Sequence, residues 1–233
     1  MVSAIILAAG KGRRMGSKLP KQYLPLLGRP LLAYSLLAYE QSLVDRVVLV
    51  VDPLDRDRAE EILQRYQIHK VSAIVAGGRE RCDSVFAGLQ KVDDGGQVLI
   101  HDGARALIRA EEINTALSVV SRGEACAMGM PVKDTIKEVG EDQSVIRTPD
   151  RSRLWQVQTP QCFLTEEIKE AYRRYLQEER SGATDDAAIY ELMIGKKLYM
   201  IEGSYENLKV TTPEDLLMAE IILRRRGWSP SQI

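Results

Sequence analysis

Up to Pro131, continuous apolar runs rich in Val and Ile alternate with stretches in which apolar positions recur at helical spacing. The runs predict strands at residues 2–8, 46–51, 71–75, 98–101 and 125–131. They are apolar throughout rather than at every second position, which is the pattern of strands buried on both faces. Helical spacing predicts helices at 31–41, 55–66, 82–90 and 110–121. Such alternation joins into right-handed βαβ units. The expected fold is therefore α/β, a single domain over 1–233 built as a three-layer, Rossmann-like, mainly parallel sheet.

The rhythm breaks at Val132. From 132 to 163 the chain is polar and Thr-rich, punctuated by Gly140, Pro149 and Pro160. "DTIKEV" and "SVIRT" flank "GEDQ" as strands flank a hairpin turn, so a projecting β-arm is expected over about 132–163. Such a projection acts as a dimer arm or a lid, or is a plain surface excursion; the pattern leaves these open. Helical spacing returns at 165–178, 185–193 and 213–226. Thr184 and Asp185 read as an N-cap pair opening "DDAAIYEL". Met193, Met200 and Met218 read as core filler.

Composition narrows the function. The chain has 233 residues, 45% hydrophobic and 28% charged, an ordinary globular make-up long enough for one sizeable core. A net charge of −1 sets aside general nucleic-acid binding, so any polyanion site must be local. No run nears the roughly eighteen apolar residues that span a bilayer. The chain enters "VSAIILAA" with no secretory or transit pattern, and a cytoplasmic, membrane-free location is expected. Cys82, Cys126 and Cys162 are sparse, with no C-x-x-C pair, and read as reduced, buried thiols.

One stretch concentrates charge. In "AIILAAGKGRRMGSKLPKQYLPL", Lys11, Arg13, Arg14, Lys18 and Lys21 crowd together with no acid among them. A strand ending in small residues and followed by Gly10 and Gly12 lets backbone amides approach an anion. The dinucleotide fingerprint G-x-G-x-x-G fails because its third glycine position is Met15, and no G-K-[ST] occurs. A triphosphate carries about three to four negative charges, which guanidinium and ammonium groups neutralise; otherwise the cluster is a solvated face. Only His69 and His101 exist, too few to favour imidazole-centred catalysis. His101 reads as a packed core residue. Asp102 ends "VLIHD", where carboxyl ends of parallel strands line a crevice, either as a site acid or as a turn residue.

"LAAGKGRRMGSKLPKQYLPLLGRPLL" resembles the signature of sugar-phosphate nucleotidyltransferases. "GGRERCDSV", "HDGAR", "PVKDTIKEV", "DRSRLWQVQTPQCF", "GATDDAAIYE" and "NLKVTTPEDL" follow in order. Together they resemble the 2-C-methyl-D-erythritol 4-phosphate cytidylyltransferase family of non-mevalonate isoprenoid synthesis, from about Ala4 to Ala219. The resemblance implies CMP transfer from CTP to methylerythritol phosphate with release of pyrophosphate and magnesium present. It implies that Ala8, Ala9, Gly10 and Gly12 wrap the nucleotide, and that Arg14 and Lys21 grip its triphosphate. By the same resemblance Gly78 and Ser84 read cytosine, and Asp102 lies beside the ribose and metal. Arg105, Thr135, Arg151, Thr159 and Lys209 hold the acceptor phosphate, with Arg151 and Lys209 placing it for attack. Members often carry an acid after the double glycine; here stands Arg79, so that match implies only a backbone contact. The arm implies a homodimer in which it reaches the neighbouring subunit. Alternatives are a ribitol 5-phosphate or other pentitol-phosphate cytidylyltransferase, a nicotinamide-dependent dehydrogenase on a similar sheet, and a non-catalytic CTP sensor.

Overall fold

The computed structural model describes residues 1–17, 19–178 and 182–229, with the side chain of Arg13 also outside the description. The first half runs β1 (Val2–Ala8), β2 (Pro25–Leu26), β3 (Arg29–Pro30), α1 (Leu31–Gln41), β4 (Arg46–Val51), α2 (Arg56–Arg65), β5 (Val71–Ala76), α3 (Arg81–Leu89), β6 (Gln97–Asp102) and α4 (Ala110–Val120). The second half runs β7 (Ala125–Pro131), β8 (Glu138–Val139), β9 (Val145–Arg147), β10 (Trp155–Leu164), α5 (Thr165–Gln177), α6 (Asp186–Ile194), β11 (Leu198–Glu202) and α7 (Pro213–Arg225).

Seven strands form one sheet in the order β11-β7-β10-β6-β1-β4-β5. Every pairing is parallel except those of β10, which runs antiparallel to both β6 and β7. The mainly parallel α/β sheet expected from the sequence is therefore present. The chain lays down β1, β4 and β5 outward in one direction, then returns to place β6 on the other side of β1. That reversal opens a crevice at the carboxyl ends of β1 and β6, the place where open α/β sheets hold ligands.

Both faces of the sheet are covered. Ile6 and Leu49 pack with Leu36 of α1 and Ile113 of α4, while Ile5 and Val50 pack with Val85 of α3, Tyr172 of α5 and Tyr190 of α6. Adjacent residues of one strand thus face opposite layers, and both must be apolar, which accounts for the unbroken runs. A third cluster joins α7, through Ala219, Ile222 and Leu223, to Leu26, Leu31 and Tyr34.

Three expectations are corrected. The excursion that begins at Val132 ends before Trp155, because residues 155–164 return as a ten-residue strand at the heart of the sheet. Pro160 argues against a central strand, since proline cannot donate to a ladder. The conflict is met by a register irregularity between Val157 and Gln161, with a cis Thr159–Pro160 peptide. Edge strand β11 carries no sequence signal beyond five residues after "GKK". Met218 is half exposed on α7, whereas Met193 is buried and Met200 half-buried. The hairpin itself is present as the antiparallel pair β8–β9, held apart from the main sheet and exposed throughout.

Candidate active site

At the crevice lies a cleft of about 790 Å³, walled by the loop Ala8–Gly12, by Lys21, by the turn Gly77–Arg81 and by Asp102 and Lys209. Beside it lies a smaller pocket of about 220 Å³, floored by Thr159 and Gln161 and walled by Arg105 and Thr184. Arg81, Asp102 and Lys209 line both, so these three side chains form the partition between the two spaces.

The glycine loop is shaped by contacts its neighbours make. Gly12 has φ +58°, a left-handed conformation that side chains resist, and a Cβ there would lie 3.0 Å from the Lys21 Cβ. Gln22 is buried and donates from Nε2 to the Ala8 carbonyl at 2.6 Å, tying off the end of β1. A Cβ on Gly77 would sit 2.3 Å from that of Ala9 on the opposite wall, and one on Gly78 would sit 2.2 Å from that of Asp83 within its own wall. Only glycine at 77 lets the two walls approach this closely, and glycine at 78 lets its turn fold tightly onto α3. The Gly78 amide donates to Ser84 Oγ at 3.0 Å, and that hydroxyl donates to the Glu80 carbonyl. Glu80 caps α3 in a reciprocal box with Asp83. Gly78 and Ser84 are thereby joined at one end of the cleft.

Lys21 and Lys209 meet the last stretch of the site, residues 207–210. Lys21 Nζ donates to the Val210 carbonyl at 2.9 Å, and Lys209 Nζ pairs with Asp102 Oδ2 at 2.8 Å. This segment is pinned from below: Asn207 Nδ2 donates to the Thr159 carbonyl at 3.1 Å, Arg105 Nη1 donates to the Asn207 carbonyl at 2.8 Å, and the Val210 amide donates to the Ala104 carbonyl at 2.9 Å. Burial and the nearby Lys209 charge push the Lys21 ammonium down to about 8. Burial disfavours an ionised Asp102, yet the Arg81 and Lys209 charges outweigh it and hold the carboxyl well below the usual range. Asp102 is thus an anion wedged between two cations.

Thr159 lines the smaller pocket, but its hydroxyl is already engaged. It accepts from the Asp102 amide at 3.0 Å and lies 3.1 Å from His101 Nδ1. His101 is fully buried against the Tyr39 ring, and burial lowers its imidazole to about 3, so it stays neutral. Asp185 caps α6, accepting from the Ala188 amide at 2.9 Å, and also accepts from Gln161 Nε2 at 2.8 Å.

The residues matched to the nucleotide gather as a set: Ala8, Ala9, Gly10, Gly12, Lys21, Gly78, Ser84 and Asp102 all line the larger cleft. Arg105, Thr159 and Lys209 gather at the smaller one. Arg14 stands on the turn Arg13–Met15, outside the lining, close enough for its charge to act on Lys21. Lys18 and the Arg13 side chain lie outside the described residues. Thr135 and Arg151 line neither space; both are exposed on the arm, where Arg151 Nη1 donates to the Lys133 carbonyl at 2.7 Å. Sequence reasoning overlooked Arg81, whose side chain touches both spaces. A signal existed: a cation in a helix's first turn opposes the helix dipole and needs an acidic partner.

The family model for 2-C-methyl-D-erythritol 4-phosphate cytidylyltransferase matches residues 2–225. The chain belongs to that family. The cytidylyltransferase of Lachnospira eligens is 45% identical over 226 residues, covering 96% of this chain and 100% of the relative. That of Alkaliphilus oremlandii is 46% identical over 227 residues, with 96% and 95% covered. Among solved structures, the 4-diphosphocytidyl-2C-methyl-D-erythritol synthase of Anaerococcus prevotii superposes with a TM-score of 0.85 at 32% identity, covering 96% of both chains. Family membership sets aside the dehydrogenase alternative. No described helix is long and apolar enough to cross a membrane.

Proposed function

We propose that the protein transfers CMP from CTP to 2-C-methyl-D-erythritol 4-phosphate, giving 4-diphosphocytidyl-2-C-methyl-D-erythritol and pyrophosphate. The observation that carries this reading is the pair of adjoining pockets divided by Arg81, Asp102 and Lys209. The larger has amides and Lys21 for a triphosphate; the smaller has Arg105 and Lys209 for a phosphate. The acceptor phosphate, with a second pKa near about 6, arrives ionised and needs no general base. The neutral, buried His101 is accordingly no loss. Catalysis rests on aligning two anions and stabilising the charge that builds on the α-phosphoryl oxygens. Lys21 and Arg14 take the triphosphate side, and Lys209, swinging from Asp102, takes the acceptor side.

Asp102 fits a magnesium carried in by the nucleotide. It is the carboxylate common to both pockets, and its proton affinity is low. Among the described residues no group of three or more His, Cys, Asp or Glu forms a cage, which suits an ion held largely by phosphate oxygens and water. When bound, such an ion supplies charge neutralisation at the phosphates. Thr135 and Arg151 complete the acceptor site from a second subunit, which makes the active form a homodimer joined through the arm. Charged substrates and three reduced cysteines suit the cytoplasm. Pyrophosphate release with CTP, magnesium and methylerythritol phosphate tests the reading. Faster turnover with ribitol 5-phosphate, or CTP binding without pyrophosphate, would overturn it.

A further inference from the structure

Four charged side chains meet at the partition. Arg81 donates from Nη1 and Nη2 to Asp186 Oδ1 and Oδ2 at 2.8 and 2.7 Å, a bidentate pair, and its Nε lies 3.3 Å from Asp102 Oδ1. Lys209 takes the other Asp102 oxygen at 2.8 Å. Two acids and two cations cancel, but the two cations are held very differently.

Asp186 opens α6 and is completely buried, where it also accepts from the Tyr172 hydroxyl at 2.5 Å. If Arg81 turned away, that carboxylate would be left buried without its counter-charge, a costly state. Arg81 therefore has three contacts and a reason to stay. Lys209 has one ion pair, a more exposed side chain (40% against 30%) and a flexible stem. When an anion enters the smaller pocket, Lys209 can turn to it and release Asp102 Oδ2. Arg81 cannot follow, so Asp102 Oδ1 stays where it was. The arrangement frees one oxygen of the shared acid without letting the carboxylate rotate.

We propose that Arg81, anchored on buried Asp186, is a positioning residue that fixes the Asp102 carboxylate and acts on turnover through it. The placement requires the whole fork. Lysine at 81 keeps the charge but cannot grip Asp186 with two nitrogens and Asp102 with a third. The proposal rests on the cytidylyl-transfer reading above, since Asp102 matters only if the partition is where the two substrates meet.

The test is a double-mutant cycle on pyrophosphate release with CTP, magnesium and methylerythritol phosphate. Because Arg81→Met alone would strand Asp186, the carrier is Arg81→Met with Asp186→Asn, which removes both charges together. It should lower kcat by about 10²-fold, as loss of orientation typically does. In an Asp102→Asn background the same pair of changes should cost less than about threefold, because their target is gone. Losses that multiply in the combined variant would overturn the proposal, for they would mean that Arg81 touches substrate itself or supports the fold generally. Should the carrier not fold, Arg81→Lys takes its place in the cycle. It should cost about tenfold beside Asp102 and nothing measurable beside Asp102→Asn, and equal costs in both backgrounds would again overturn the idea. Wild-type protein that releases no pyrophosphate would sink the functional reading instead, so the two failures are distinguishable.

Discussion

The cleft and the arm are built on opposite plans. Around the cleft several polar side chains reach partners on different elements: Lys21 on residue 210, Arg81 on α6, Asn207 on β10, Gln22 on β1. On the arm most contacts are local, as between Lys137 and Thr148 or Arg147 and Glu138, with Lys133 over the Tyr205 ring as a tie to the body, and apolar Val139, Val145 and Ile146 stand in solvent. A region cross-linked to the whole fold can hold charges that repel, such as Lys21 and Lys209. The arm's contacts leave two of the residues matched to the acceptor, Thr135 and Arg151, exposed and away from both pockets. Under the proposed dimer, one chain makes the nucleotide half of the site together with Arg105, Thr159 and Lys209, and the partner's arm would supply the rest of the acceptor half.

The largest test of that division is Lys21→Ala. Loss of one preorganised contact to the transition state should lower kcat by about 10²–10³, with circular dichroism and melting close to wild type. Near-normal turnover in the folded variant would remove Lys21 from the cleft's machinery. Next comes complementation. Lys21→Ala and Arg151→Ala should each be nearly inactive alone. Co-expressed as heterodimers, they leave one site with both lesions and one with neither, so activity should recover towards half by that count. Absence of rescue in verified heterodimers would mean that the arm serves its own chain and that the contrast drawn here is wrong.

A smaller effect follows from the lowered Lys21 ammonium at about 8. A lowered value means the charge is present below that pH and lost above it. kcat/KM for CTP should therefore decline as pH rises through 8, approaching about tenfold per unit, and Lys21→Arg should move that limb beyond pH 10. An unchanged limb in Lys21→Arg would assign it to another group. The smallest effect belongs to the arm. Val139→Ser with Ile146→Ser should change the unfolding free energy of dilute monomer by no more than about 0.5 kcal/mol, while weakening self-association in sedimentation. A large loss of monomer stability would show the arm packed on its own body.

Much of this was legible beforehand, for a physical reason. Strands such as β1 and β4 announce themselves because burial on both faces demands unbroken apolar runs, and the glycine loop because close approach demands missing side chains. What stayed hidden depends on distant partners. β10 reads as polar because Gln158, Thr159 and Gln161 point into the network beneath the site rather than into oil. Arg81 receives no role from the sequence because Asp186, which holds it, lies 105 positions away. Thr159, matched to a phosphate, lines the smaller pocket, and its hydroxyl also accepts from the Asp102 amide and lies beside His101 Nδ1, contacts the sequence does not announce.

The bond from Lys21 to Val210 has a consequence in time as well as space. It closes across 189 positions, and the Lys209–Asp102 pair joins the same late segment to the middle of the chain. During synthesis the glycine loop is made well before residues 207–210, with 189 positions from Lys21 to Val210. At about 5–20 residues per second, the intervening stretch takes on the order of 10–40 seconds to emerge. Throughout that interval the cations of the first loop lack the backbone carbonyl and the neighbouring lysine that define their geometry. A nascent chain can collapse around β1, β4 and β5 early, but it acquires a complete phosphate-binding surface only once residues 207–210 have been made.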